Sequence, residues 1–182
     1  MRLIIATLSL LLLSTHAASA DTAALFPKEI SVDGQKLVKL GEYRYVYRVF
    51  FKLYEVALYS ELGASAEDVL RSEKSFRLQF RYLREIEKDI ILESSDKMLT
   101  RNLSVDEKES IEARVETINR AYTTVRDGDL SSLTYIPNEG TTLAINGEKV
   151  ATIDGRDFAT HYFKIWLGSE PISTELRDRL LK

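Results

Sequence analysis

The chain has 182 residues, a formal net charge of −3 and no cysteine. Its 25 basic against 28 acidic residues do not make the basic surface that nucleic-acid phosphates require. The absence of cysteine excludes disulfides, thiol nucleophiles and thiolate-ligated zinc, and two histidines leave little for an imidazole metal site.

Residues 1–20 place Arg2 before an apolar run, Leu3 to Leu13, and end in Ala18-Ser19-Ala20. This is the layout of a secretory signal peptide cleaved after Ala20, too short in its apolar part to span ~30 Å of hydrocarbon. It leaves one domain over residues 21–182, expected in the periplasm or outside the cell. No later stretch approaches the ~20 apolar residues of a membrane helix.

Asp33-Gly34 after Ile30 to Val32 is a hairpin turn signal. From Tyr43 to Tyr59 the chain is rich in aromatic and β-branched residues with period 2. Tyr43, Tyr45, Tyr47, Phe51 and Leu53 take one parity; Arg44, Arg48, Phe50, Lys52 and Tyr54 take the other. Seventeen residues exceed the usual strand length. A bulge or break therefore lies inside, at a position the sequence does not mark. Ser65 to Asp68 caps a short helix to about Arg71. Phe76 to Leu83 alternates as a strand, with Arg77 and Arg81 on its polar face. A helix follows from about Glu85 to Thr100, with Ile86, Ile90, Ile91, Met98 and Leu99 apolar and the small pair Ser94-Ser95 inside that face.

Ser104 to Glu107 is a capping box. The helix it opens carries Ile111, Val115, Ile118, Tyr122 and Val125 at helical spacing, with Gly128 as the expected stop. Leu133 to Ile136 is a short strand. Asn146-Gly147 then joins two strands. A helix from about Arg156 to Leu167, ended by Gly168, precedes Pro171 and a last helix over Ser173–Leu181. The order describes an α+β fold with a mainly antiparallel sheet.

No phosphate-cradling glycine loop, GxSxG elbow or HExxH pair occurs. No cofactor or metal is expected, and His161 is read as a structural or surface residue. The feature with chemistry is arginine interleaved with aromatics. An arginine on a covered sheet face needs an anion, and the carboxylate of an apolar ligand is one candidate. On an uncovered face, Arg44, Arg48, Arg77 and Arg81 simply line the wet side of the sheet. Ser94-Ser95 marks either room for a ligand or close packing.

Three segments, LVKLGEYRYVYRVFFKLYEVALYS, FRLQFRYLREIEKD and the stretch from GDLSSLTYIP through FKIWLGSEP to the final leucines, resemble the chalcone isomerase-like family, and most of all its bacterial exported branch. The resemblance implies an open-faced β-sandwich, a large antiparallel sheet covered by a helical layer, with a cleft between the two. In the plant enzymes that cleft cyclises a chalcone, with an arginine, hydroxyls and water stabilising the enolate. Non-catalytic members bind fatty acids through an arginine and a tyrosine. Carried onto this chain, the arginine falls on Arg44, after Gly41, with Arg48 as its rival; the tyrosine falls on Tyr82. Tyr54 stands where the enzymes have a catalytic threonine, and near the place of the catalytic asparagine stands Glu93.

The expectation is an exported, non-catalytic protein that binds a small hydrophobic or carboxylate-bearing ligand, such as a fatty acid. Arg44 or Arg48 would meet the acid, and Tyr54 and Tyr82 would be polar handles. Two alternatives stand beside it. One is an intramolecular lyase acting on a chalcone-like enone. The other is a ligand-free periplasmic interaction module whose cleft is filled by its own Tyr54 and Phe50.

Overall fold

The computed structural model describes residues 26–48 and 50–182. The expected signal peptide over residues 1–20 lies outside them. Seven strands form one antiparallel meander, each paired with the next: β1 (Glu29–Val32), β2 (Gln35–Tyr47), β3 (Phe51–Glu61), β4 (Phe76–Tyr82), β5 (Leu130–Ile136), β6 (Gly140–Ile145) and β7 (Glu148–Ile153). Among the described residues six helices accompany it: α1 (Ala66–Leu70), α2 (Lys88–Asn102), α3 (Val105–Ala121), α4 (Arg156–Tyr162), α5 (Lys164–Leu167) and α6 (Thr174–Leu180). No described helix is long and apolar enough to cross a membrane.

Two hairpin turns form where Asp-Gly and Asn-Gly stand. Asp33 and Gly34 take φ of 47° and 84°, and Asn146 and Gly147 take 50° and 85°, the left-handed pair that a two-residue turn needs. Ser65 and Ser104 both close capping boxes, with Asp68 and Glu107. The long aromatic run is not one strand. It reverses around Arg48, whose φ is +47°, so that Tyr47 pairs with Phe51 and Tyr45 with Tyr54.

The expected helix to Gly128 stops at Ala121. Tyr122 is already extended, and Val125 exchanges backbone hydrogen bonds with Ile86, 2.9 and 3.1 Å. The apolar spacing runs on because these residues still face the core, but the backbone serves a β-bridge instead. For the same reason Ile86 lies ahead of α2 rather than in it. The expected helix over Arg156–Leu167 is divided at Phe163 into α4 and α5.

One sheet face carries the main core. Tyr54, Val56 and Leu58 on β3, Phe76, Leu78, Phe80 and Tyr82 on β4, and Leu133 and Tyr135 on β5 are all buried there with helical residues Ile111, Ile118, Phe158, Tyr162, Leu176 and Leu180. The opposite face has a smaller cluster, Phe26, Val32, Leu37, Ala57, Tyr59 and Ile136. A register shift between Lys39 and Gly41 explains how β2 serves both. Before it, Leu37 joins the smaller cluster; after it, Tyr43 and Tyr45 pack against the main core.

Gly41 lies under α6, where a Cβ would collide with the backbone of Arg179 and Leu180. Backbone cannot move aside as a side chain can. Gly41→Ala is expected to destabilise by about 1–3 kcal/mol, a fall in Tm of roughly 2–4 °C per kcal/mol, read by thermal melting. An unchanged Tm would mean that α6 does not sit this close.

Arg114 on α3 grips Asp157 on α4, with Nη1 donating to Oδ1 at 2.9 Å. The guanidinium hydrogen bonds lower the Asp157 pKa from 3.8 to about 2. A depressed carboxylate contributes stability above its unfolded pKa, and loses it as pH falls through its folded value. The stability gap between wild type and Asp157→Asn should therefore be present at neutral pH and close as pH falls from about 4 to about 2, by denaturant melts across that range. Because Asp157 is half exposed, the gap should be modest.

Candidate functional site

The pairing of β3 with β4 sets Tyr54 directly opposite Tyr82. Their rings stand 6.2 Å apart and nearly perpendicular, and Phe80 lies 5.4 Å from both Tyr54 and Trp166. Above this aromatic floor, α2 and α5 leave a small apolar pocket of about 80 Å³. Leu53, Tyr54, Phe80 and Tyr82 come from the sheet; Ile90, Ile91, Ser94 and Ser95 come from α2; Ile165 and Trp166 come from α5. Leu53 lies at the second register shift of the β2–β3 pair, left without a partner between Tyr54 and Lys52.

Hydroxyls are the polar groups of the pocket, and among the described residues no charged side chain lines it. The Tyr82 hydroxyl is satisfied by Ser131 Oγ at 3.1 Å. Ser95 Oγ donates to the Ile91 carbonyl at 2.8 Å. The Tyr54 hydroxyl is fully buried and has no hydrogen-bond partner among the described residues. The Trp166 side chain lies near enough to temper its pKa but not in hydrogen-bonding geometry. Burial holds the Tyr54 phenol well above its ordinary range. An orphaned buried hydroxyl costs about 1–3 kcal/mol, and a ligand oxygen placed here would relieve it.

Of the four sequence-predicted site residues, the structure brings Tyr54 and Tyr82 together and leaves both arginines elsewhere. Arg44 pairs with Glu55 across β2 and β3, Nε to Oε1 2.8 Å. Glu55 alternates with Tyr54, so it and Arg44 lie on the sheet face away from the helices. Arg81 joins the same carboxylate at 3.7 Å, and Arg77 donates to Thr134 Oγ1 at 2.7 Å. The arginines of β2 and β4 thus line the face that the helices leave uncovered. An open groove of about 590 Å³ beside Arg44 holds charges already matched, with Lys39 2.6 Å from Glu42.

Arg48 sits exposed in the β2–β3 turn, its Nε donating to Tyr47 Oη at 3.1 Å. The parity that grouped Arg44, Arg48, Phe50 and Tyr54 fails because the chain reverses between them. Phe50 does not fill the cleft; it is 84% exposed. Both serines of the Ser94-Ser95 pair line the pocket. Sequence reasoning missed Trp166 as a pocket wall. The signal was there: the only tryptophan of the chain on an apolar helical turn.

A seven-stranded antiparallel meander with helices on one face and an apolar, hydroxyl-bearing pocket between the layers defines a chalcone isomerase-type fold. The chain belongs to the chalcone isomerase-like family, whose model matches residues 19–182. Among solved structures it is similar to a fatty-acid binding protein of Arabidopsis thaliana, with a TM-score of 0.64 and 14% identity over 86% of this chain and 90% of that one. A comparison with curated proteins gives no match.

Burial raises the pKa of Tyr54, Tyr82, Tyr122 and Tyr162 above the ordinary 10. The stability tied to a raised tyrosine is complete below its unfolded pKa and is lost as pH rises beyond it. In an alkaline titration these four of the nine tyrosines should ionise together with unfolding. Phenolate absorbance and circular dichroism should then break at one pH. Ionisation of all nine before any loss of structure would contradict the burial.

Proposed function

We propose that the protein is a non-catalytic binder of a small apolar or amphipathic ligand of the fatty-acid class, held between the sheet and helices α2 and α5. The observation that carries this reading is the Tyr54 hydroxyl, buried and unpartnered at the floor of an otherwise apolar pocket. Once the pocket widens, this hydroxyl would be free to donate to an oxygen of the ligand head. The chain of the ligand would lie against Ile90, Ile91, Ile165 and Trp166. The family and the fatty-acid binding name of the plant neighbour support the same class. The arginine that the plant enzymes use, expected at Arg44 or Arg48, is not among the residues that line the pocket.

Pockets that hold drug-sized ligands run to about 300–1,000 Å³, so one of about 80 Å³ must widen to accept an acyl chain. The wall to move is the Ile90 side chain, 52% exposed although it lines the pocket, because the start of α2 before it is held by the Ile86–Val125 bridge and by the Lys88 N–H donating to Thr124 Oγ1 at 3.2 Å. Residues 1–20 support export, which would place this binding in the periplasm or outside the cell of a bacterium.

Calorimetric titration of the purified protein with lauric or palmitic acid tests the reading. Saturable binding is expected. Tyr54→Phe should weaken it about tenfold, the worth of a hydrogen bond to a charged acceptor, and Arg44→Ala should leave it within about twofold. No binding of either acid would overturn the function. Loss in Arg44→Ala with Tyr54→Phe unaffected would move the site to the other sheet face.

A further inference from the structure

The tip of the β2–β3 hairpin projects three aromatic side chains into solvent. Phe50 is 84% exposed, and Tyr47 and Phe51 are each 45% exposed. Other strongly exposed apolar residues, such as Leu62 and Val105, stand one at a time between polar or glycine neighbours in the chain. Single exposed apolar residues are ordinary; a group of large aromatics on one protruding turn is not.

Cations surround this group. Arg48 lies over the Tyr47 ring at 5.3 Å, and Arg84 lies over the Phe51 ring at 5.1 Å. Lys52 follows directly and is exposed. Residues 43–54 carry Arg44, Arg48 and Lys52 and no carboxylate, within a chain whose net charge is −3. Arg44 is spent on Glu55. Glu85, the acid next to Arg84, faces Arg126 at 3.5 Å. Positive charge is therefore concentrated at the tip against the sign of the whole molecule.

We propose that this hairpin tip docks on an anionic lipid bilayer, with Phe50, Phe51 and Tyr47 entering the interface while Arg48, Lys52 and Arg84 meet the lipid phosphates. Aromatic side chains with flanking cations are the chemistry that binds such a surface: apolar area enters the acyl boundary, and each cation near it adds about 1 kcal/mol. The Arg-over-ring contacts keep each guanidinium beside its aromatic, so both reach the same depth. The tip also adjoins the pocket. Leu53, two residues beyond Phe51, lines it, and so does the exposed Ile90. The docking stands on the hairpin alone. Its use, exchange of an acyl ligand with the membrane, rests on the proposed binding function.

Sedimentation of the full protein with vesicles of phosphatidylglycerol, against vesicles of phosphatidylcholine alone, tests the docking without any ligand. Binding to the anionic vesicles is expected to be at least about tenfold tighter and to weaken with salt. Phe50→Ser with Phe51→Ser should reduce it about tenfold, as should Arg48→Glu with Lys52→Glu. Retained circular dichroism and Tm would exclude unfolding as the cause. No binding to anionic vesicles, or equal binding by wild type and both variants, would overturn the proposal. Vesicle binding without uptake of lauric acid in calorimetry would contradict the ligand function and leave the docking in place.

Discussion

The register between β3 and β4 is the constraint on which the remaining structure depends. Tyr54 opposite Tyr82, Val56 opposite Phe80 and Leu58 opposite Leu78 send one unbroken row of large apolar side chains toward the helices. Between them, Glu55 opposite Arg81 and Tyr59 opposite Arg77 go to the other side. A slip of β4 by one residue would turn its apolar row outward and bury Arg77 and Arg81 under the helices. Several kcal/mol per unpaired ion stands against that alternative. With no cysteine to staple the chain, this alternation and the packing on it hold the sheet to its helices.

The same alternation divides the chemistry. Polar residues of the uncovered face are matched within the sheet: Glu55 between Arg44 and Arg81, and Arg77 with Thr134. These pairs contribute little net stability, but they hold Arg44 and Arg81 to Glu55 on the uncovered face. The covered face keeps only hydroxyls. Tyr82 finds Ser131, and Tyr162 reaches Tyr122 at 3.5 Å. The Tyr54 hydroxyl and, on β6, Thr141 Oγ1 find no partner among the described residues. The pocket between the layers is lined by apolar and hydroxyl-bearing side chains and, among the described residues, by no charged one.

Much of the fold was legible in the sequence where a residue type has one physical use. Asp33-Gly34 and Asn146-Gly147 could only turn, and Ser104 with Glu107 could only start a helix. Phe76 to Tyr82 alternates so cleanly that its faces were known beforehand. The β2–β3 reversal was not legible, because Tyr47 to Phe50 contains no glycine, proline or asparagine. Arg48 adopts a positive φ without the composition that usually announces one. That one unmarked turn decided the fate of the site residues. Parity carried through it put Arg44 beside Tyr54; the true chain path puts Arg44 beside Glu55. Tyr54 and Tyr82 were recoverable from the sequence. Their wall, Trp166 and Ile165, comes from α5, 112 residues from Tyr54 in the case of Trp166, and only the packing of layers brings it there.

Trp166 is the sole tryptophan, 8% exposed, and forms one wall of the pocket. Its fluorescence therefore reads the site directly. Titration with a brominated fatty acid, whose heavy atom quenches only at contact, is the most direct test of the account. Ligand in this pocket predicts strong, saturable quenching that unbrominated fatty acid competes away. Binding by calorimetry with Trp166 emission unquenched would place the ligand elsewhere and contradict the account.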